Sequence, residues 1–587
     1  VTQSPDHGGV VTTAEPELSN ADGAEEAAQP SAAAEPDLQG ADGATHPPKR
    51  SEFAWLERRW VAAGVFAAAG IVLFVAYLAQ ARTLPVHLDA PSGSAWQTLQ
   101  AWDMLHGNVL LRGWSLADVS VYTTELPEYM LVELIRGLNG DVVHVAAALS
   151  YTLIVVLGAL LAKGRATGRE GLIRLLVAAG IMLAPSLHSG TDVLLSGPDH
   201  TGTQVPLLVI WLVLDRARAR WWVPVVVAVL LAWAQVGDAI VLVECVLPLV
   251  VVCAVRMYRR PGPLAQQWYE LSLAGAALVS VGVAKLVLAV IKQAGGFTLR
   301  SPVIGFSTAA SMSAQFWVKV QRVLELFGAS FFGLTLGHSA ISIAIHLIGF
   351  ALVVWAVAVG VRRFFGESDL IVQVLVVAFV LLLAAYMFGT KPDANEMIGL
   401  LPIGAVLAGR LLPGRLSRAR LAPTVGVVLA CYGVMLLVNA VHPAASDQSQ
   451  PSAKWFEAHH LTYGLGQVAD SSKVTVDSGA RVQVRPTRFY NHQLVTTSWQ
   501  TDASWYDANQ HDANFVVWKV PSTCANACQP VTDLRNEFGP PATTYQVGNF
   551  IVLVWHKNLL ANVPMLYWCG NVWPWNASGP PSAKACS

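Results

Sequence analysis

The feature that most constrains this chain is a series of apolar runs, each approaching 20 residues and separated by short polar loops. A hydrocarbon core about 30 Å thick demands roughly 20 apolar residues from each helix that crosses it. The runs predict about eleven spans, at residues 60–79, 142–161, 172–187, 204–214, 221–235, 239–255, 268–291, 339–361, 370–388, 397–412 and 425–441. The fourth is short for a free-standing span and is expected to extend beyond those limits. Composition agrees: 54% of the 587 residues are hydrophobic and only 13% are charged. No basic stripe or nucleic-acid module interrupts this pattern, which argues against a nucleic-acid partner.

Charge sets an expected orientation. Lys49, Arg50, Arg58 and Arg59 precede the first run, and Lys163, Arg165 and Arg169 follow the second. Arg216, Arg218 and Arg220 follow the fourth, and Arg256, Arg259 and Arg260 the sixth. Arg362 and Arg363 follow the eighth, and Arg410, Arg415, Arg418 and Arg420 the tenth. Positive loops stay on the cytoplasmic side, so the odd-numbered loops and the C-terminus are expected to face outward from the plasma membrane. Residues 1–50 are rich in Ala, Glu, Asp, Pro and Gly and carry a diverged duplication, residues 14–24 and 34–44. With few groups to bury, they are expected to be a disordered, cytoplasmic acidic tail.

The predicted organisation is therefore an α-helical polytopic membrane protein over residues 58–441, with a long first outward loop at 81–141. A small extracytoplasmic α/β domain is expected over residues 442–587. Apolar and polar residues alternate there at 473–484, 514–520 and 544–555, which predicts strands. Four of the seven cysteines (Cys524, Cys528, Cys569 and Cys586) lie in this tail. An oxidising exterior favours disulfides, with Cys524–Cys528 and Cys569–Cys586 as one of three pairings.

The first outward loop concentrates acid: Asp89, Asp103, Asp118, Glu125 and Glu128. Ser94 and Gln97 make a capping box, predicting a helix that stops near Gly107. Trp96, Leu99 and Asp103 share its face, which suits a short helix lying in the membrane interface. A span, an acidic residue just outside it and juxtamembrane helices before the second span resemble the class-C (GT-C) membrane glycosyltransferases, such as protein mannosyltransferases and aminoarabinose transferases. The likeness covers roughly residues 60–555. Where that family often has Asp-Glu, this chain has Asp89-Ala90.

The resemblance implies transfer of a sugar from a polyprenyl-phosphate donor to the hydroxyl of a glycan, lipid or protein acceptor at the outer membrane face. A carboxylate acts as general base and a cation stabilises the leaving phosphate. It implies Asp89 as the base, with Asp103 in reserve and Glu125 and Glu128 as further substrate candidates. Asp192, Asp199 and His200, on the loop between the third and fourth runs, are expected to hydrogen-bond a sugar or to help hold Mg²⁺ or Mn²⁺. As loop residues they serve equally well in ordinary turn chemistry. Candidate donor-phosphate ligands are Lys285, Arg300 and Lys391. Glu244 and Lys285 sit at similar depths in their spans and are expected to pair. Residues 312–327 are amphipathic, with Phe316, Val320 and Leu324 along one side, and are expected to lie along the outer interface.

Two other readings compete. A transporter or flippase needs paired halves or matched broken spans, and neither is evident. An inactive scaffold with an outer binding domain is the other.

Overall fold

The computed structural model describes residues 54–84, 94–187, 190–260, 262–300, 305–332, 338–367, 369–390, 394–414, 422–443, 452–520 and 528–564. The N-terminal tail, Asp89, Lys391, Cys524, Cys569 and Cys586 lie outside them. The chain divides into two units, Val1–Ala63 and Gly64–Ser587. The first contributes the opening turns of α1; everything below concerns the second.

Each predicted span corresponds to a helix. In order they begin with α1 (Ala54–Ala81), which is followed by α2 (Ser94–Leu105) and α3 (Leu126–Arg136) in the first loop. Next come α4 (Asp141–Lys163), α5 (Gly168–Met182), the short α6 (Gly190–Leu194) and α7 (Thr201–Arg216). Then follow α8 (Trp222–Gly237), α9 (Leu247–Arg259) and α10 (Trp268–Gln293). The last are α11 (Ala309–Leu326), α12 (His338–Arg363), α13 (Leu370–Phe388), α14 (Leu400–Leu411) and α15 (Ala422–Ala440). Among the described residues, five helices are long and apolar enough to cross a membrane: α1, α4, α10, α12 and α13. The remaining predicted spans are helices of 12 to 19 residues. The fourth does extend, to 16 residues.

A turn of π-helix, Leu242–Val246, runs directly into α9 and carries Glu244. One extra residue per turn redirects side chains, a device common at functional positions.

The α2 helix is covered by protein. Residues 95–101 are all buried, and Gln100 donates to Gln500 at 2.8 Å. Its apolar face packs against other parts of the chain. The amphipathic α11 buries Leu324 and exposes Phe316 and Trp317. Thr308 caps its first turn through the Ser311 amide.

The C-terminal region is α/β. Its sheet has the order β5-β4-β3-β7-β9-β8, with β3 (Tyr463–Gln467) parallel to both β4 (Gln483–Tyr490) and β7 (Phe515–Lys519). Antiparallel β5 (Gln493–Thr496) extends one side, and the β8 (Thr543–Val547) and β9 (Phe550–Val554) hairpin extends the other. The strand predicted at 473–484 is found only at its last two residues, which begin β4. Residues 468–477 form a helix instead, because parallel β3 and β4 need a crossover between them. Cys528 is disulfide-bonded, while Cys245, Cys253 and Cys431 are free.

A second, smaller sheet joins distant parts of the chain. Strand β1 (Trp114–Leu116) of the first loop pairs in parallel with β2 (Thr298–Leu299), which follows α10. On its other edge β1 pairs antiparallel with β6 (Thr501–Asp502) of the C-terminal region.

Candidate active site

The C-terminal end of α8 leaves carbonyls with no partner inside the helix. The first loop supplies donors for them. Thr123 Oγ1 donates to the Trp233 carbonyl at 2.6 Å, Ser120 Oγ to Val236 at 2.5 Å, and the Val121 amide to Gly237 at 2.9 Å. This docking brings Glu125 against Asp238, the residue immediately after α8.

The α7 helix completes the cluster. Its Thr203 amide donates to Glu125 Oε1 at 3.0 Å, and the Thr203 hydroxyl lies 3.1 Å from both Glu125 Oε1 and Asp238 Oδ2. Gly202 is required there, since a Cβ would meet Glu125 Cγ at 2.6 Å. His200, at the start of α7, places Nδ1 2.7 Å from Asp238 Oδ2. Its backbone is left-handed, with φ of 54°, a strained state for a residue with a Cβ. Asp238 also accepts the Ile240 amide at 2.9 Å, and Asp199 accepts from Asn395 at 3.3 Å.

A cavity of about 270 Å³ opens on this cluster. Asp118, His200, Asp238 and Glu396 supply its charged wall, and Leu382, Ala385 and Tyr386 of α13 its apolar one. Lys319 of α11 braces that apolar wall, donating to the carbonyls of Tyr386 at 3.1 Å, Met387 at 3.2 Å and Gly389. Arg300 stands beside Asp118, because its amide donates to Ala117 at 3.2 Å across the small sheet.

Burial works against a charged His200, yet Asp238 foremost, with Asp199 and Glu396, holds its pKa well above the usual 6.5. Asp238 is correspondingly lowered: burial would raise it, but the His200 cation and its hydrogen bond prevail. The cavity thus keeps an imidazolium paired to a carboxylate at neutral pH. Glu125 behaves oppositely. Burial first, and then the Asp238 charge, raises it from 4.5 to about 8.

Stability should follow pH accordingly. The folded chain keeps the Glu125 proton between 4.5 and about 8, whereas the unfolded chain releases it, so stability falls as pH rises through that window. The change is on the order of a few kcal/mol. His200 acts in the same direction, its contribution present below about 6.5 and lost as pH passes its raised value. Glu125→Gln is expected to flatten the fall in apparent melting temperature of detergent-solubilised protein between about pH 5 and 8. An unchanged slope would show that Glu125 holds no proton in the folded state.

Of the residues proposed from sequence, the fold brings Glu125, Asp199 and His200 together. Glu128 turns away to accept from Ser150 of α4. Asp103 binds Trp114 Nε1 and Asn108 Nδ2 through one oxygen, both at 2.7 Å, and so orders the turn after α2. Asp192 is exposed on α6. The expected Glu244–Lys285 pair does not form. Glu244 is fully buried and accepts from Gln204 at 2.9 Å, while Lys285 is exposed on α10. A neutral amide lies within reach of Glu244 inside the helix bundle, and the lysine points off it.

Asp238, Thr203 and Glu396 were not singled out by sequence reasoning. Asp238 did leave a signal, as the lone acidic residue between Asp215 and Glu244, set between two apolar runs. Among the described residues, no group of three or more His, Cys, Asp or Glu side chains is arranged to hold a metal ion.

No protein-family model matches this sequence, and no curated protein matches it. Among solved structures, the chain is similar to ArnT from Cupriavidus metallidurans bound to undecaprenyl phosphate, at 12% identity and a TM-score of 0.49. That match covers 86% of this chain and 98% of the other. It is also similar to the Archaeoglobus fulgidus oligosaccharyltransferase, tethered to an acceptor peptide (11% identity, TM-score 0.39) and in its apo form (11%, 0.40). Each of these matches covers 79% of this chain and 70% of the other.

Proposed function

We propose that the chain is an integral membrane glycosyltransferase that moves a sugar from a polyprenyl-phosphate donor to an acceptor hydroxyl at the outer membrane face. The observation that carries this reading is the cavity where Asp118, Asp238, Glu396 and His200 meet beside Arg300, among helices of membrane length. A lipid-anchored donor offers only its phosphate-sugar headgroup outside the bilayer, and a mostly apolar cavity with one charged wall suits such a group.

In this reading the acceptor oxygen bonds to the anomeric carbon as the sugar–phosphate bond breaks, and the phosphate leaves with the electron pair. Asp89 is the proposed general base that takes the hydroxyl proton. Asp118 is the cavity carboxylate on the same loop. The His200 imidazolium and the Arg300 guanidinium offset charge on the departing phosphate, and Asp238 keeps His200 protonated and oriented.

The test is sugar transfer by purified protein in lipid, from hexosyl and pentosyl polyprenyl phosphates, with Asp89→Asn alongside. Transfer that drops at least about 100-fold in Asp89→Asn supports the assignment; undiminished transfer removes Asp89 as base. A proton-coupled transporter is the second reading, favoured by Glu244, a fully buried carboxyl in a π-helical turn of a predicted span. Translocation of a substrate without any transfer would decide for it.

A further inference from the structure

One hydroxyl proton stands between two buried carboxyl groups. Thr203 is fully buried, and its Oγ1 lies 3.1 Å from Glu125 Oε1 and 3.1 Å from Asp238 Oδ2. A threonine hydroxyl donates once and accepts through its lone pairs, whereas a carboxylate only accepts. Both contacts are therefore satisfied only when one of the two acids carries a proton.

The surroundings decide which acid that is. Asp238 takes the His200 Nδ1 proton on Oδ2 at 2.7 Å and the Ile240 amide on Oδ1 at 2.9 Å, a set of donors that suits the ionised form. Among the described residues no cation bonds Glu125. Its partners are the Thr203 amide, at 3.0 Å, and the hydroxyls of Thr203 and Thr124. Two carboxyls that share one hydroxyl titrate apart, and the one without a cation keeps the proton. That acid proton goes to the hydroxyl of Thr203 or of Thr124, and in either case the Thr203 proton is left for Asp238. Were Glu125 ionised, two carboxylates would compete for it, and the loser would face an oxygen lone pair at 3.1 Å.

We propose that Thr203 is a positioning residue that passes the protonation state of Glu125 to the cavity: with Glu125 neutral, its hydroxyl is committed to Asp238 and holds the Asp238–His200 pair in its working orientation. Asp238 occupies Nδ1 of His200, which leaves Nε2 for a ligand in the cavity that both residues line. The use of the cavity rests on the glycosyltransferase reading; the bridge itself does not. Burial, and then the Asp238 charge, keeps the proton on Glu125 up to about 8, so the bridge should open as pH passes that value. The other charged groups around the chain of bonds are Asp118 of the first loop, Asp199 before α7, Glu244 of the π-helical turn and Glu396 before α14. The Thr203 hydroxyl bonds none of these.

The test uses the full chain in lipid nanodiscs with two readouts. Infrared difference spectroscopy follows the carboxylic-acid C=O stretch, and sugar transfer from polyprenyl-phosphate donors follows the site. Near neutral pH the wild type is expected to show an acid band that Glu125→Gln removes, that Thr203→Val shifts and that Thr203→Ser leaves in place. Thr203→Val should lower kcat at least about tenfold with KM little changed, since a hydrogen bond to a charged group is lost. Thr203→Ser should recover most of that loss. Glu125→Gln, neutral at every pH, should carry the alkaline limb beyond that of the wild type.

Either wild-type kcat or an unmoved acid band in Thr203→Val would overturn the bridge and leave the glycosyltransferase reading intact. A Thr203→Ser variant as impaired as Thr203→Val would assign the effect to packing and overturn it too. No transfer by wild type from any donor would remove the glycosyltransferase reading instead. The band would then judge the bridge alone: moved by Thr203→Val it stands, unmoved it falls. Should Thr203→Val not fold, wild type is compared with Glu125→Gln, and the absence of any band that Glu125→Gln removes means that both acids are charged and the bridge is lost.

Discussion

Asp238→Asn is expected to lower sugar transfer by about 10²–10³-fold at neutral pH, because it disarms a preorganised charge in the cavity. The amide still fits beside Thr203, but it no longer holds the proton on His200. In the wild type the imidazolium persists as pH rises through 6.5, since Asp238, together with Asp199 and Glu396, outweighs the cost of burial. Without that carboxylate, only Asp199 and Glu396 still oppose burial, and the ring's pKa falls. The alkaline limb of the pH–rate profile should therefore move to lower pH in Asp238→Asn, with activity partly recovered in acid. A profile of unchanged shape, merely scaled down, would mean that His200 carries no charge that matters to the reaction.

The second large effect is one of stability. Arg410, near the end of α14, is almost wholly enclosed, with its side chain 3% exposed. It reaches Asp215 Oδ1 and Asp369 Oδ2, both at 2.6 Å, and donates twice to the Leu161 carbonyl, at 3.0 and 2.7 Å. One guanidinium thus ties α14 to the ends of α4 and α7 and to the start of α13. Gly164, with φ of 56°, ends α4 beside it, and a Cβ there would lie 3.2 Å from Arg410 Nη2. Arg410→Met is expected to cost about 3–5 kcal/mol, since removing one partner strands buried charge. The readout is apparent melting temperature in detergent. Adding Asp215→Asn and Asp369→Asn should restore part of the loss, because the stranded charges then disappear. A fully additive triple variant would refute the coupling.

Arg410 also marks a boundary of sequence reasoning. By position it was one of several cations following the tenth apolar run, and it looked like a free topogenic charge. In the fold it is a buried strut. Nothing local distinguishes it from its neighbours, since its partners stand 195, 41 and 249 residues away. The Glu244–Lys285 expectation failed for a related reason. Equal depth in two spans says nothing about azimuth, and Lys285 faces away from the bundle. At 473–484, alternation of apolar and polar residues predicted strand, yet the parallel pairing of β3 with β4 required part of that segment to be a helix.

The site was legible in part. Glu125, Asp199 and His200 stood out as polar residues in an apolar chain, and all three belong to the buried cluster. Asp238 did not, although it forms the shortest link to His200. Its role depends on the loop at 120–125 capping the end of α8, a contact made across more than a hundred residues.

By itself, then, the sequence determined the helices, their order and the α/β character of the C-terminal region. Run length and apolar content are local quantities, and bilayer thickness or strand alternation reads them directly. Only the tertiary structure decided which carboxylates share a cavity and which arginine is a strut. Those outcomes rest on hydrogen bonds and charge pairs between distant segments, whose formation depends on how helices rotate and strands register. No local pattern in the chain records that geometry.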